Sequence, residues 1–150
     1  MVCYHTSRMS CPCFEPVEPR PYAADSRRAM LPLGDGWTGI CRAAPDQPFH
    51  PGDSLLDPFC NLGYARGHCA HFPAHHGPDA VRFTIVSDDG AALRLYYVLE
   101  RDHRPFAHGP LEFSVAQNEL TTPAEGELTA AQARAYAASY LCRRGESERR

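Results

Sequence analysis

Nine of the fourteen prolines fall within the first 58 residues, at positions 12, 16, 19, 21, 32, 45, 48, 51 and 58. Each removes a backbone donor and pushes the residue before it away from the helical region. A stretch so interrupted supports neither a long helix nor a central strand. Residues 1–58 are therefore expected to be mostly irregular and to need a tie from outside. Leu31, Leu33, Trp37, Ile40, Phe49, Leu55, Leu56 and Phe59 give this half apolar groups to bury. Residues 1–10 read as a flexible arm.

The cysteines offer the tie. There are seven, at 3, 11, 13, 41, 60, 69 and 142. Met1 to Arg20 holds no apolar run of the kind that directs export. No segment approaches the roughly 18 apolar residues of a membrane span. These features predict a reducing, cytoplasmic setting, where cysteines more often bind metals or catalyse than form disulfides. The odd number also suits a closed disulfide framework poorly.

The second half carries the regular structure. Val81, Phe83 and Ile85 alternate with other residues, as do Leu93, Leu95, Tyr97 and Leu99, and then Leu111, Phe113 and Val115. Period two is the strand signature, so an antiparallel β-meander of about three strands is expected over residues 80–116. Apolar matching favours a three-residue loop, Asp88-Asp89-Gly90. That loop sets Ile85 opposite Leu93, Phe83 opposite Leu95 and Val81 opposite Tyr97, with Gly90 left-handed. A helix is expected over 129–144. Thr129 and Gln132 have capping-box spacing, Leu128, Ala131, Ala135, Ala138 and Cys142 form one stripe, and Gly145 is the stop. One or two helical turns are expected within 59–72. The resulting fold class is α+β: one domain over 11–144, with a polar tail at 145–150. A hydrophobic share of 43% over 150 residues suits a single core of this size.

Cys11-Pro-Cys13 forms one local pair, and Cys60 with Cys69 a second. Two pairs from distant stretches can deliver four thiolates to one point, the donor set of a zinc or iron–sulfur site. Prolines at 12 and 16 and the rings of Phe14, Phe59, Tyr64 and Phe72 would keep water away, while Gly63 and Gly67 allow tight turns. Metal binding would become folding free energy for the proline-rich half. Cys41 and His71 are the substitute ligands. His68, His75 and His76 are read as a solvated histidine run, and Cys3 and Cys142 as bystanders.

Other motifs lead nowhere. Gly34-Asp-Gly36-Trp-Thr-Gly39 matches the dinucleotide fingerprint literally, but Pro45 leaves no room for the required helix, so a glycine turn around Trp37 is expected. Walker, nucleophile-elbow, HExxH and kinase signatures are missing. A net charge of −3 gives no basic footprint for nucleic acid or an anionic membrane. Glu100 to His108 reads as a charged loop between strands.

The expected function is therefore a small metal-binding protein with a four-cysteine centre at Cys11, Cys13, Cys60 and Cys69. Zinc is the first choice and an iron–sulfur cluster the alternative. Two further readings stand beside it. One is a cysteine-dependent enzyme using Cys60 or Cys69 with His103 or His108. The other is a metal-free adaptor that meets a protein partner through a sheet face bearing Arg94, Tyr96 and Val98.

Overall fold

A computed structural model describes residues 9–20, 31–74 and 77–148, with side chains to residue 145. Most of the expected arm, Cys3, His75 and His76 lie outside the described residues.

The sheet is built as the alternation requires. Strands β3 (Ala80–Asp88), β4 (Ala92–Arg101), β5 (Arg104–Ser114) and β6 (Glu119–Leu120) form an antiparallel sheet in chain order. It has four strands rather than three, because a short return after Asn118 (φ 55°) adds β6. One face buries Val81, Phe83, Leu93, Leu95, Tyr97, Leu99, Leu111 and Phe113.

The register differs from the expected one by two residues. Ile85 pairs with Leu95, Phe83 with Tyr97 and Val81 with Leu99, and the pairing shifts between Ile85 and Ser87. A slip of two leaves every side chain on its original face, so apolar matching has no power to detect it. Gly90 is left-handed as expected, at φ 91°. The turn is set by Asp88, which accepts from Gly90 N–H at 2.9 Å, and by Asp89, which accepts from Ala91 and Ala92 N–H.

The expected charged loop after Glu100 is mostly strand. Asp102 and His103 (φ 52° and 62°) make a two-residue turn, and β5 begins at Arg104. Pro105 and Pro110 do not break β5, because β6 pairs only with Phe113 and Ser114. A proline is tolerated where its missing donor faces an unpaired edge. On the adaptor face, Arg94 is exposed and Tyr96 is half-buried, but Val98 is buried, contrary to expectation.

The proline-rich half also contains strands that the sequence did not advertise. Strands β1 (Phe14–Pro19) and β2 (Trp37–Cys41) form a separate antiparallel ribbon with a bulge between Pro16 and Glu18. β1 pairs with β2 along one side, which again leaves places for its prolines. Gly39 is required there, since a Cβ would sit 2.0 Å from the Glu15 carbonyl oxygen. Met9 and Ser10, expected in the arm, are buried, and Ser10 exchanges backbone hydrogen bonds with Val81 at 2.9 and 3.0 Å.

The expected turns within 59–72 occur slightly upstream. A short helix α1 (Asp53–Leu55) widens into a π-type turn over Leu56–Cys60. Pro58 supplies no N–H to the α-helical ladder, and Asn61 N–H donates instead to Leu56 O at 2.9 Å. Gly34 is left-handed (φ 87°) and leads directly into β2, as a glycine turn should.

The C-terminal helix α2 runs over Glu127–Glu148, continuing past Gly145, where a stop and tail were expected. Its buried face keeps Ala135 of the expected stripe but is rotated away from the rest. Ala138 and Cys142 are exposed, whereas Gln132, Ala133, Ala137 and Ser139 are buried. The rotation follows from polar partners that periodicity cannot register. Gln132 bonds to backbone near the first cysteines, so it makes no capping box, and Ser139 donates to Asp35 at 2.7 Å. Tyr136 stacks on Phe83 with centroids 5.8 Å apart. One apolar cluster thus runs from β1–β2 through the sheet to α2. Among the described residues no helix is long and apolar enough to cross a membrane.

Candidate functional site

Four separate stretches of backbone meet where the ribbon, the π-type turn and the loop after it join. Cys11 N–H donates to Cys60 O at 3.1 Å, tying the Cys-Pro-Cys turn to the end of the π-type turn. Phe14 pairs with Cys41 across the ribbon, and Arg42 N–H donates to Cys13 O at 2.9 Å. Cys41 exchanges backbone bonds with Phe49 at 2.8 and 3.3 Å. The loop then turns back on itself, with Cys69 N–H bonded to Ala65 O at 2.7 Å and Phe72 N–H to Cys69 O at 3.1 Å.

The result is a small pocket lined by Cys11, Cys41, Cys60, Cys69 and His71. Its apolar wall is Phe14, Phe59 and Phe72 with Ala43 and Ala65. Cys11 and Cys60 are buried, while Cys13, Cys41 and Cys69 are half-buried. His71 is exposed at the mouth and packs on Phe49, with ring centroids 4.7 Å apart. Cys13 joins the group by a side-chain hydrogen bond with Cys11. The six described cysteines form no disulfide, and Cys142 is exposed on α2.

The sulfurs sense one another electrostatically. Cys11 is held well above the ordinary thiol value, first by its hydrogen bond to Cys13 and then by burial. Cys13 is lowered by the same bond, and the nearby Arg66 guanidinium acts in the same direction against the opposing effect of burial. Cys11 therefore keeps its proton and donates it, while Cys13 is the readier thiolate. Burial pushes Cys60 up to about 12, and the neighbouring Cys41 and Cys69 add to this. Burial likewise raises Cys41, with Cys13 and Cys69 as the like-charged neighbours. Burial and the neighbouring sulfurs disfavour several thiolates together without a cation, and a cation would oppose that preference.

Of the expected ligands, Cys11, Cys60 and Cys69 line this pocket with both substitutes, while Cys13 does not line it and bonds to Cys11. Among the described residues, however, no group of three or more His, Cys, Asp or Glu is placed so that it could hold a metal ion. The histidines of the enzyme reading are elsewhere. His103 stacks on Tyr64 with centroids 4.2 Å apart, and His108 bonds to Tyr96. The histidine that does line the pocket with Cys60 and Cys69 is His71.

No protein-family model matches this chain, and no curated protein or solved structure does so either. The site must be read from its own chemistry.

The sequence did not reveal the supporting roles of three residues. Asn61 accepts from Trp37 N–H at 2.9 Å and donates to the Trp37 and Leu56 carbonyls at 3.0 and 3.1 Å, holding the π-type turn against the ribbon. Gln132 anchors the Cys-Pro-Cys turn to α2. Arg66 lies over the Phe72 ring at 4.7 Å and pairs with buried Asp79. The only sequence signal was a polar residue beside Cys60 and another within an alanine-rich helix.

Proposed function

We propose that this protein is a small metal-binding domain whose centre is held by the thiolates of Cys11, Cys13, Cys60 and Cys69, with zinc as the ion. The observation that supports this reading is the convergence of Cys11, Cys41, Cys60, Cys69 and His71 on one pocket walled by aromatic rings, with Cys13 hydrogen-bonded to Cys11. Soft sulfur donors select zinc or iron–sulfur centres over hard cations. The apolar wall gives the low-dielectric surroundings in which a thiolate needs a cation beside it.

The centre is structural on this reading. The segments that meet at the pocket are those with the least regular structure, so the metal supplies folding free energy where the core is thin. Cys11, Cys13, Cys60 and Cys69 would hold the ion as thiolates, each thiol giving up its proton to solvent on binding. Peptide N–H groups at the tight turns and the Arg66 charge offset the excess negative charge of the thiolates.

Elemental analysis and a visible spectrum of anaerobically purified full-length protein test the reading. Colourless protein with stoichiometric zinc, melting lower after chelation, is the expected result. Brown protein with broad visible absorbance would place an iron–sulfur cluster on the same cysteines. Metal-free protein whose melting is indifferent to chelator and to added zinc would end the proposal.

A further inference from the structure

We propose that Cys11 and Cys13 are a redox-active dithiol, which small hydroperoxides oxidise to a Cys11–Cys13 disulfide. The inference goes beyond the metal reading and does not depend on it.

The turn that carries the pair prepares it for this reaction. Cys11 O accepts from Phe14 N–H at 3.3 Å, which makes Cys11-Pro12-Cys13-Phe14 a β-turn with proline at its favoured second position. Such a turn brings its first and third residues close, and here their side chains are joined by a hydrogen bond. A disulfide needs short Cα and Cβ separations, so little has to move when the sulfurs bond. The turn is also fixed from outside. Gln132 donates to the carbonyls of Cys11 and Phe14 at 2.9 and 2.8 Å, Arg42 N–H to Cys13 O at 2.9 Å, and Cys11 N–H to Cys60 O at 3.1 Å. Ring closure between two sulfurs so held is favoured over reaction with a distant thiol.

Exposure divides the roles. Cys13 is half-buried and does not line the pocket, whereas Cys11 is 8% exposed and does. A small oxidant therefore meets Cys13 first. The Cys13 sulfur attacks one peroxide oxygen and the O–O bond breaks. Cys13 becomes a sulfenic acid, and its thiol proton leaves with the departing oxygen as water, or as alcohol from an organic hydroperoxide. The Cys11 sulfur then attacks the Cys13 sulfur. The S–S bond forms, the S–O bond breaks, and the leaving hydroxyl takes the Cys11 proton as water. The peroxide gains two electrons and the two sulfurs together lose two. The disulfide removes the Cys11 thiol from the pocket, so oxidation that starts at Cys13 is felt at a site Cys13 does not line.

The test treats reduced, chelator-treated full-length protein with hydrogen peroxide, blocks the remaining thiols with iodoacetamide and maps tryptic peptides by mass spectrometry. Trypsin leaves Cys11 and Cys13 on one peptide, apart from every other cysteine. Loss of two hydrogens from that peptide is expected, reversed by dithiothreitol and well ahead of any change at exposed Cys142. In Cys11→Ser the sulfenic acid loses its partner and should accumulate on Cys13 as a dimedone adduct. In Cys13→Ser the fast oxidation should vanish; if that variant fails to fold, the wild-type map decides alone. A link from Cys11 or Cys13 to another cysteine overturns the inference, as does oxidation of both no faster than that of Cys142. Zinc content is measured separately, so a metal-free protein that still forms this disulfide ends the metal reading alone.

Discussion

Gln132 reaches from the C-terminal helix to the Cys-Pro-Cys turn, its Nε2 donating to the Cys11 carbonyl oxygen at 2.9 Å. The same nitrogen donates to Phe14 O at 2.8 Å. One buried amide thus ties α2 to the segment that presents two of the site cysteines, 121 residues away in sequence. The geometry of the pocket depends on the last helix of the chain as much as on the local turns.

Gln132→Leu keeps the volume and removes the donor. Two buried carbonyls lose a partner, which should cost about 1–3 kcal/mol. Urea denaturation should show a lower midpoint with an unchanged slope. A midpoint equal to that of the wild type would mean the amide contributes nothing net.

Gly39→Ala drives a methyl group into the Glu15 carbonyl oxygen, 2.0 Å from the ideal Cβ position. The obstacle is backbone, so the ribbon must open rather than a side chain move. Because Phe14 pairs with Cys41 in that ribbon, stability and metal capacity should fall together. A variant that melts lower yet retains full zinc content would uncouple the ribbon from the centre.

Asn61→Ala removes three hydrogen bonds that join the π-type turn to Trp37. The groups left behind are buried, and a loss of about 2–3 kcal/mol is expected. Trp37 is the sole tryptophan, so its fluorescence reports the change directly, and an unaltered emission maximum and melting curve would refute the assignment.

Cys60 sets an alkaline limit on the metal-free chain. Burial, with Cys41 and Cys69 nearby, raises its folded value from 9.0 to about 12. The fold therefore favours the neutral thiol. That contribution is complete below about pH 9 and is lost as the pH rises through about 12. Denaturation midpoints of the metal-free protein should fall across this window, less so in Cys60→Ser. Near neutral pH, iodoacetamide should label Cys13 well before Cys60; the reverse order would contradict the described burial.

Asp88 sets an acid limit. It is held below the ordinary carboxylate value first by Gly90 N–H, then by the Arg144 guanidinium and the Tyr140 hydroxyl. Arg144 Nη1 lies 2.8 and 2.9 Å from its two oxygens. The folded value is lowered, so the contribution is present above the unfolded value of 3.8 and disappears as the pH falls through the folded one. Asp88→Asn should flatten the acid side of the stability profile and leave the alkaline side unchanged. An acid limb as steep as in the wild type would exclude this role.

The alternation of Val81, Phe83, Leu93, Leu95, Leu111 and Phe113 determined the antiparallel sheet and its buried face, and the alanine-rich end determined a helix, because both are short-range patterns in which each side chain declares its own face. That Cys11 would meet Cys60 and Cys69 across the chain was also legible, and the three line one pocket. Tertiary structure alone decided the register of β3 on β4, since a two-residue slip conserves every face. It alone made strands of Phe14–Pro19 and Trp37–Cys41, because whether a proline is tolerated depends on which edge its missing donor meets. It also turned Gln132 and Ser139 inward and brought Cys41 and His71 beside the other donors. Those placements depend on partners distant in sequence, and a local pattern carries no information about a partner that the fold has yet to bring near.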